Sequence, residues 1–226
     1  MTDIKNRISI QVGLSGYSFK VQADGKTAYS GWKGADTVFT TPELQKRYAS
    51  VEVSVFTPYC TLVPENFHRQ DLSREILSEV IHLPDGAMVE SVPVPEHAAV
   101  MVYSNNVGGT LHKVISESVM TIAGEKSSPL PELYYMLKEL SNLGDYNRIL
   151  ASYMDGVLYL VIAQGKSLML CNSYQAPDFT TAQYFIFLAM KKLQLNPEVS
   201  TITFRTRLDD EDEMSLYRYF KSVDHI

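Results

Sequence analysis

Polar and apolar residues alternate from Ile8 to Lys26, in ISIQVGLSGYSFKVQADGK, with the period of two that predicts β-strands. A glycine-bearing turn, GLSG, divides the run. Asp24-Gly25 ends it, because glycine accepts the positive φ that a tight hairpin turn needs. A third strand is expected over Thr27–Trp32. The pattern returns in the second half of the chain. Leu14–Thr27 (LSGYSFKVQADGKT) lies without a gap over Met154–Ser167 (MDGVLYLVIAQGKS). Gly16 falls on Gly156, Phe19 on Tyr159, Val21 on Val161, and Ala23, Gly25 and Lys26 on Ala163, Gly165 and Lys166. Upstream, Ile10 falls on Leu150. The second copy's third strand is expected over Ser167–Tyr174. Any two meanders share alternation, so the matched glycine-lysine frame is what favours a duplication.

The segments after each ribbon also correspond. In FTTPELQKRYAS, Thr40 and Glu43 form a capping-box pattern with Pro42 in the first turn, which predicts a helix to about Ala49. VEVSVF then reads as a buried strand. After the second ribbon, Asp178 is the expected N-cap of a helix. Phe179, Ala182, Tyr184, Phe185, Phe187, Leu188 and Leu193 fall on its broad apolar face. Asn196-Pro197 ends it, and STITFRT reads as a strand. Each half is therefore a three-stranded meander, a helix and a returning strand, so a mixed α/β fold is expected twice over.

The middle is less periodic. CTLVP reads as a short strand and Asp71–Ile81 as a short helix. Met88–Val94 and Ala98–Ser104 read as a strand pair, Gly109–Ser116 as a helix and Ser118–Ile122 as a strand. A helix in SSPLPELYYMLKELSNLGD is expected to be capped by Ser127 or Ser128 and ended by Gly144. Its core face is Leu133, Met136, Leu137 and Leu140. The domain boundary is placed beside it, giving residues 1–125 and 126–226.

Composition narrows the function classes. The chain has 226 residues, is 45% hydrophobic and 20% charged, and carries a net charge of −6, without the basic face that nucleic-acid binding needs. No apolar span of membrane length occurs, so no membrane insertion is expected. Cys60 and Cys171 lack metal or CxxC spacing and read as buried thiols of a reducing, cytoplasmic compartment. The five histidines form no zinc motif.

A meander, a helix and a returning strand, occurring twice, resemble the plan of the actin, Hsp70 and sugar-kinase superfamily. LSGYSFKV followed by YCTLVPENF resembles, more narrowly, a bacterial family of unknown function to which an actin-like ATPase fold is assigned. The resemblance implies two RNase H-like lobes with a cleft between them, and no established activity. Within that fold it extends to cytoplasmic domains of pilus and type II secretion assembly proteins, some of which hold partners.

Actin-like ATPases usually carry D-x-G-[S/T] in the first hairpin turn and a related acidic turn in the second. The acid serves Mg²⁺, which takes hard oxygen ligands, and the small residues let backbone N–H groups reach phosphates. Here the acid positions read Leu14 and Met154, and bulky Tyr17 and Val157 follow the glycines. Asp155 sits one place out of that frame. The adenosine-binding glycine pair is missing after STITFRT. If ATP binds, Ser15, Gly16, Lys26, Asp145, Asp155 and Gly156 are the residues to test. GKT at Gly25 and GKS at Gly165 lack the earlier P-loop glycine. NNVGGT (Asn105–Thr110) reads either as an anion-holding loop or as a plain connection. DDEDE (Asp209–Glu213) lacks a calcium loop's spacing and suits the first turn of a last helix.

These readings favour a non-catalytic scaffold without cofactor or metal, which binds another protein and is open to homo-oligomerisation. The competing reading is a Mg-ATP-binding protein or slow ATPase or kinase with atypical ligands.

Overall fold

Two hairpin ribbons organise the fold, and each is joined by a strand that returns parallel to its first member. The computed structural model describes residues 6–106 and 109–226. The first ribbon comprises β1 (Arg7–Val12), β2 (Gly16–Ala23) and β3 (Lys26–Tyr29), with the two-residue β4 (Lys33–Gly34) folding back on β2. β5 (Arg47–Tyr48) and β6 (Ser50–Val55) follow. β7 (Cys60–Pro64), α1 (Ser73–Val80), β8 (Glu90–Val94) and β9 (Ala99–Tyr103) form a unit of their own. Next come α2 (Leu111–Ser118), β10 (Met120–Thr121), β11 (Leu130–Pro131) and α3 (Glu132–Leu140). The second ribbon comprises β12 (Asn147–Met154), β13 (Val157–Gln164) and β14 (Ser167–Gln175). The chain closes with α4 (Phe179–Lys192), β15 (Thr201–Phe204), α5 (Asp210–Tyr217) and β16 (Ser222–His225).

The sheet orders repeat. The N-terminal sheet runs β11-β6-β1-β2-β3 and the C-terminal sheet β14-β13-β12-β15-β16. In both, the ribbon is antiparallel and the return strand, β6 or β15, lies parallel to the ribbon's first strand. The smaller sheet, β7-β9-β8, is antiparallel.

The ungapped alignment of the two ribbons is off by one residue. Val12 pairs with Tyr17 across the first turn, and Met154 pairs with Val157 across the second. Superimposing these turns makes Leu14 the counterpart of Asp155 and Phe19 that of Leu160, rather than of Tyr159. The second turns agree, since Ala23 pairs with Lys26 and Gln164 with Ser167. Because side chains alternate, a one-residue shift moves every side chain to the other face. Burial supports the structural register. Tyr17 and Phe19 share one core with Ile8 and Ile10, under Ile115 of α2 and Val119 just beyond it. Leu158, Leu160 and Ile162 share the matching core under Ala182, Ile186 and Met190 of α4. The other face of the second ribbon, with Tyr159 and Val161, is buried against α3 and the smaller sheet.

Several elements differ from the sequence reading. The helix expected from Pro42 to Ala49 is a single 3-10 turn, Pro42–Gln45, and no capping box forms. The hydroxyls of Thr40 and Thr41 bond back to the Thr37 carbonyl instead, and Tyr48 is drawn into the core. α2 begins two residues later than expected, and the strand expected over Ser118–Ile122 is only β10. α3 starts at Glu132 with Pro131 at its N-cap, not at Ser127 or Ser128, because Leu130 and Pro131 pair with β6. β16 has no counterpart in the sequence reading. By contrast, Asp178 caps α4 as expected, its Oδ1 accepting from Thr181 N at 2.7 Å.

Candidate functional site between the two sheets

The turns that open the two ribbons meet. Asp155 and Gly156 form the second turn with φ of 52° and 73°, a left-handed pair that aspartate and glycine tolerate. This aims the Asp155 carboxylate at the first turn, where Oδ2 accepts a hydrogen bond from Leu14 N at 2.8 Å. Trp32 lies over the same turn. A methyl group on Gly13 would come within 2.5 Å of Asp155 Oδ2 and 2.9 Å of Trp32 Cη2. On Gly16 it would come within 2.2 Å of the Lys33 carbonyl oxygen and 2.8 Å of Trp32 Nε1. Both glycines are thus required by close approach, and what approaches them is the protein's own carboxylate, indole and backbone.

Of the sequence-selected residues, Ser15, Gly16, Asp155 and Gly156 come together here. Ser15 is exposed, and its carbonyl accepts from Ala35 N at 3.1 Å. Lys26 and Asp145 do not join them. Lys26 lies beyond the far end of eight-residue β2, roughly 25 Å from Gly16 at strand rise. Asp145 precedes β12, at the end opposite Asp155, and its carbonyl accepts from Arg148 Nε at 3.2 Å.

Beneath the turns sits a charged group that sequence reasoning missed. Glu132, the first residue of α3, has no exposed surface. Its Oε1 accepts from Gln11 Nε2 at 3.0 Å and Ser152 Oγ at 2.7 Å, and lies 3.1 Å from Arg205 Nη1. Its Oε2 accepts from Ser54 Oγ. The four partners belong to β1, β12, the chain just after β15, and β6. One carboxylate therefore ties both sheets to α3, with Arg205 supplying the countercharge and stacking its guanidinium 5.8 Å from the Tyr135 ring centre. A buried charge persists only when paired and hydrogen-bonded in this way. The available signal was a lone acid in an apolar stretch, LPELYYML, together with Gln11, Ser54 and Ser152 as polar residues within three strands.

A cavity of about 130 Å³ opens beside this hub, lined among others by Ser9, Lys20, Trp32, Met154, Arg205 and Arg207. Glu139 also lines it, Arg205 is paired with Glu132, and Arg207 stacks over Tyr29 at 5.0 Å across the gap. The acidic run Asp209–Glu213 opens α5. Asp209 caps α5, its Oδ1 accepting from Asp212 N at 2.8 Å, and the next four acids fill the first turn. Burial, with Asp209 and Glu211 alongside, raises the Asp212 carboxyl above its ordinary range. Among the described residues, no group of three or more His, Cys, Asp or Glu side chains is arranged to hold a metal. Val107 and Gly108 of NNVGGT lie outside the described residues, and so does any anion role for that loop.

A family model described as "Protein of unknown function (DUF3822)" matches residues 4–223. The chain belongs to the DUF3822 family. No curated protein matches it by sequence. Among solved structures, a Bacteroides thetaiotaomicron protein with an actin-like ATPase fold and unknown function superimposes with a TM-score of 0.70 at 14% identity, covering 100% of this chain and 94% of that one. A chain of the PilM-PilN type IV pilus biogenesis complex superimposes with a TM-score of 0.52 at 13% identity, covering 97% of this chain and 88% of that one. This DUF3822 chain has the actin-like ATPase fold.

Proposed function

We propose that this protein is a non-catalytic, protein-binding scaffold, cytoplasmic and bacterial, in which the actin-like nucleotide cleft is occupied by the protein's own groups. The observation that carries this reading is the Asp155 carboxylate on the Leu14 amide, with Trp32 over Gly13 and Gly16. A phosphate turn works by presenting backbone N–H groups to an anion. Here a carboxylate already takes that N–H, and the indole fills the approach. Leu14, the residue at the first turn, offers Mg²⁺ no oxygen ligand from its side chain. The pilus-complex neighbour lends support, as an actin-like chain found in an assembly with a partner protein. The two sheets are read as two RNase H-like lobes. The lobe boundary is read near the start of α3, within about 20 residues of 125/126, and the pairing of β11 with β6 favours a place after Pro131.

A second reading, a Mg-ATP-binding protein with atypical ligands, is favoured by Lys20 and Arg207 in the cavity wall. Titration calorimetry with Mg-ATP, ADP and metal-free controls separates the two. The scaffold reading expects a flat trace for the native protein. Saturable, Mg-dependent heat that Asp155→Ala abolishes would establish the second reading in its place.

A further inference from the structure

We infer that β14 is a self-association edge, across which a second copy of this chain adds its own β14 antiparallel about a twofold axis. The inference does not depend on whether the cleft binds a nucleotide.

An open sheet edge presents a row of unpaired N–H and C=O groups, so natural proteins blunt edges by shortness, charge or proline. The other edges among the described residues are blunted. β3 has four residues and carries Lys26. β16 has four and carries Asp224. β11 has two, one of them Pro131. In the smaller sheet, β7 ends in Pro64 and β8 carries Glu90 and Pro93. β14 lacks all three of these devices, its one irregularity being a register shift that leaves Met169 as an extra residue between the pairs Ile162–Leu170 and Ala163–Leu168. It is nine residues long, SLMLCNSYQ, with no charge and no proline, and lies at the end of its sheet. Its backbone hydrogen-bonds only to β13 among the described residues.

Two features select a second copy as the occupant. An uncharged strand opposes no like charges when it pairs with itself. Exposed Lys166 precedes β14 and exposed Asp178 follows it. Antiparallel twofold pairing brings the lysine end of each strand toward the aspartate end of the other, whereas parallel pairing would place like charges together. Half-exposed Met169 lies on the strand itself. Exposed Tyr184 flanks it, joined by Phe185 to Tyr174 through ring contacts of 5.4 and 4.7 Å. These side chains supply apolar surface for the pair to cover. The product is a continuous sheet of ten strands, five from each copy.

Sedimentation velocity on the full chain across a concentration series tests this, with Met169→Lys and Lys166→Glu. Met169 is exposed, so the lysine has room without disturbing the core. The wild type should sediment as a dimer. Met169→Lys should be monomeric at the same concentrations with an unchanged circular dichroism spectrum, and Lys166→Glu should weaken the dimer. Amides of Ser167–Gln175 should exchange more slowly in the dimer than in the Met169→Lys monomer. A wild type that is monomeric throughout, as it would be if the edge served only an extended segment of another protein, overturns the inference. So does a dimer that survives Met169→Lys.

Discussion

Asp155 Oδ2 lies 2.8 Å from the backbone nitrogen of Leu14, 141 residues earlier in the chain. The bond joins the two hairpin turns that open the two ribbons, and those turns are structural counterparts. It is short, and it holds the two turns together.

Asp155→Asn tests this contact without disturbing the turn, since asparagine also accepts a positive φ. Losing the charge on a partly exposed bond should cost about 1 kcal/mol of unfolding free energy by urea denaturation. Gly13→Ala should cost more, about 1–3 kcal/mol, because its methyl would stand 2.5 Å from Asp155 Oδ2 and must push the turns apart. Equal stability of both variants and wild type would show that the turns are not held by this bond.

Glu132→Ala should destabilise the protein by about 3–5 kcal/mol, since it leaves Arg205 without its countercharge in a closed site. Arg205→Ala added to it should cost less than the sum of the two single losses, because the second change removes a charge already orphaned. Additive losses in a double-mutant cycle would mean that the two side chains act separately.

Acid should weaken the fold through two histidines. Burial lowers the pKa of His112, Lys113 adding to the effect against Glu90. Burial also lowers that of His97, whose Nε2 is enclosed without a partner. The folded state then binds fewer protons than the unfolded chain. The stability they contribute is fully present above the ordinary histidine pKa of about 6.5 and is lost as pH falls through the lowered folded values. Urea midpoints at pH 7.5 and 5.5 should differ in the wild type and differ less in His112→Asn. A midpoint that rises on acidification would contradict this.

Both thiols should be silent in the native protein. Burial pushes the Cys171 thiol up to about 12 and raises that of Cys60, with Cys171 adding to it. Reaction needs the thiolate, so a disulfide reagent at pH 8 should label neither cysteine until denaturant is added. Rapid labelling of the native chain would show that the packing against the Tyr159 cluster opens.

Much of this architecture was legible in the letters, and specific residues show why. Alternation from Ile8 onward marks the first ribbon because a half-buried strand must alternate, and the apolar run around Val161 marks β13, which is buried on both faces. Leu133, Met136, Leu137 and Leu140 mark the buried face of α3 because helical spacing collects them. Asp178 marks the start of α4 because its carboxylate can reach the Thr181 amide. These are local facts of geometry. Thr40 and Glu43 failed as a capping signal because Tyr17 hydrogen-bonds the Thr41 hydroxyl at 2.6 Å and the chain must deliver Tyr48 to the core. Non-local packing overrode a local preference.

Two hairpin-ribbon halves, the buried strands and the acidic start of α5 were determined by sequence alone, because each depends on neighbours within a turn or a strand. The tertiary structure decided the rest of the site. Letter matching set Phe19 on Tyr159, and only strand pairing showed the one-residue shift that makes Leu14 and Asp155 counterparts. Glu132 became a hub only when β1, β6, β12 and Arg205 converged on it, and Asp155 met an amide only when the two turns touched. Such contacts join residues far apart in the chain, and their energies depend on distance and burial, which no local pattern of residues encodes.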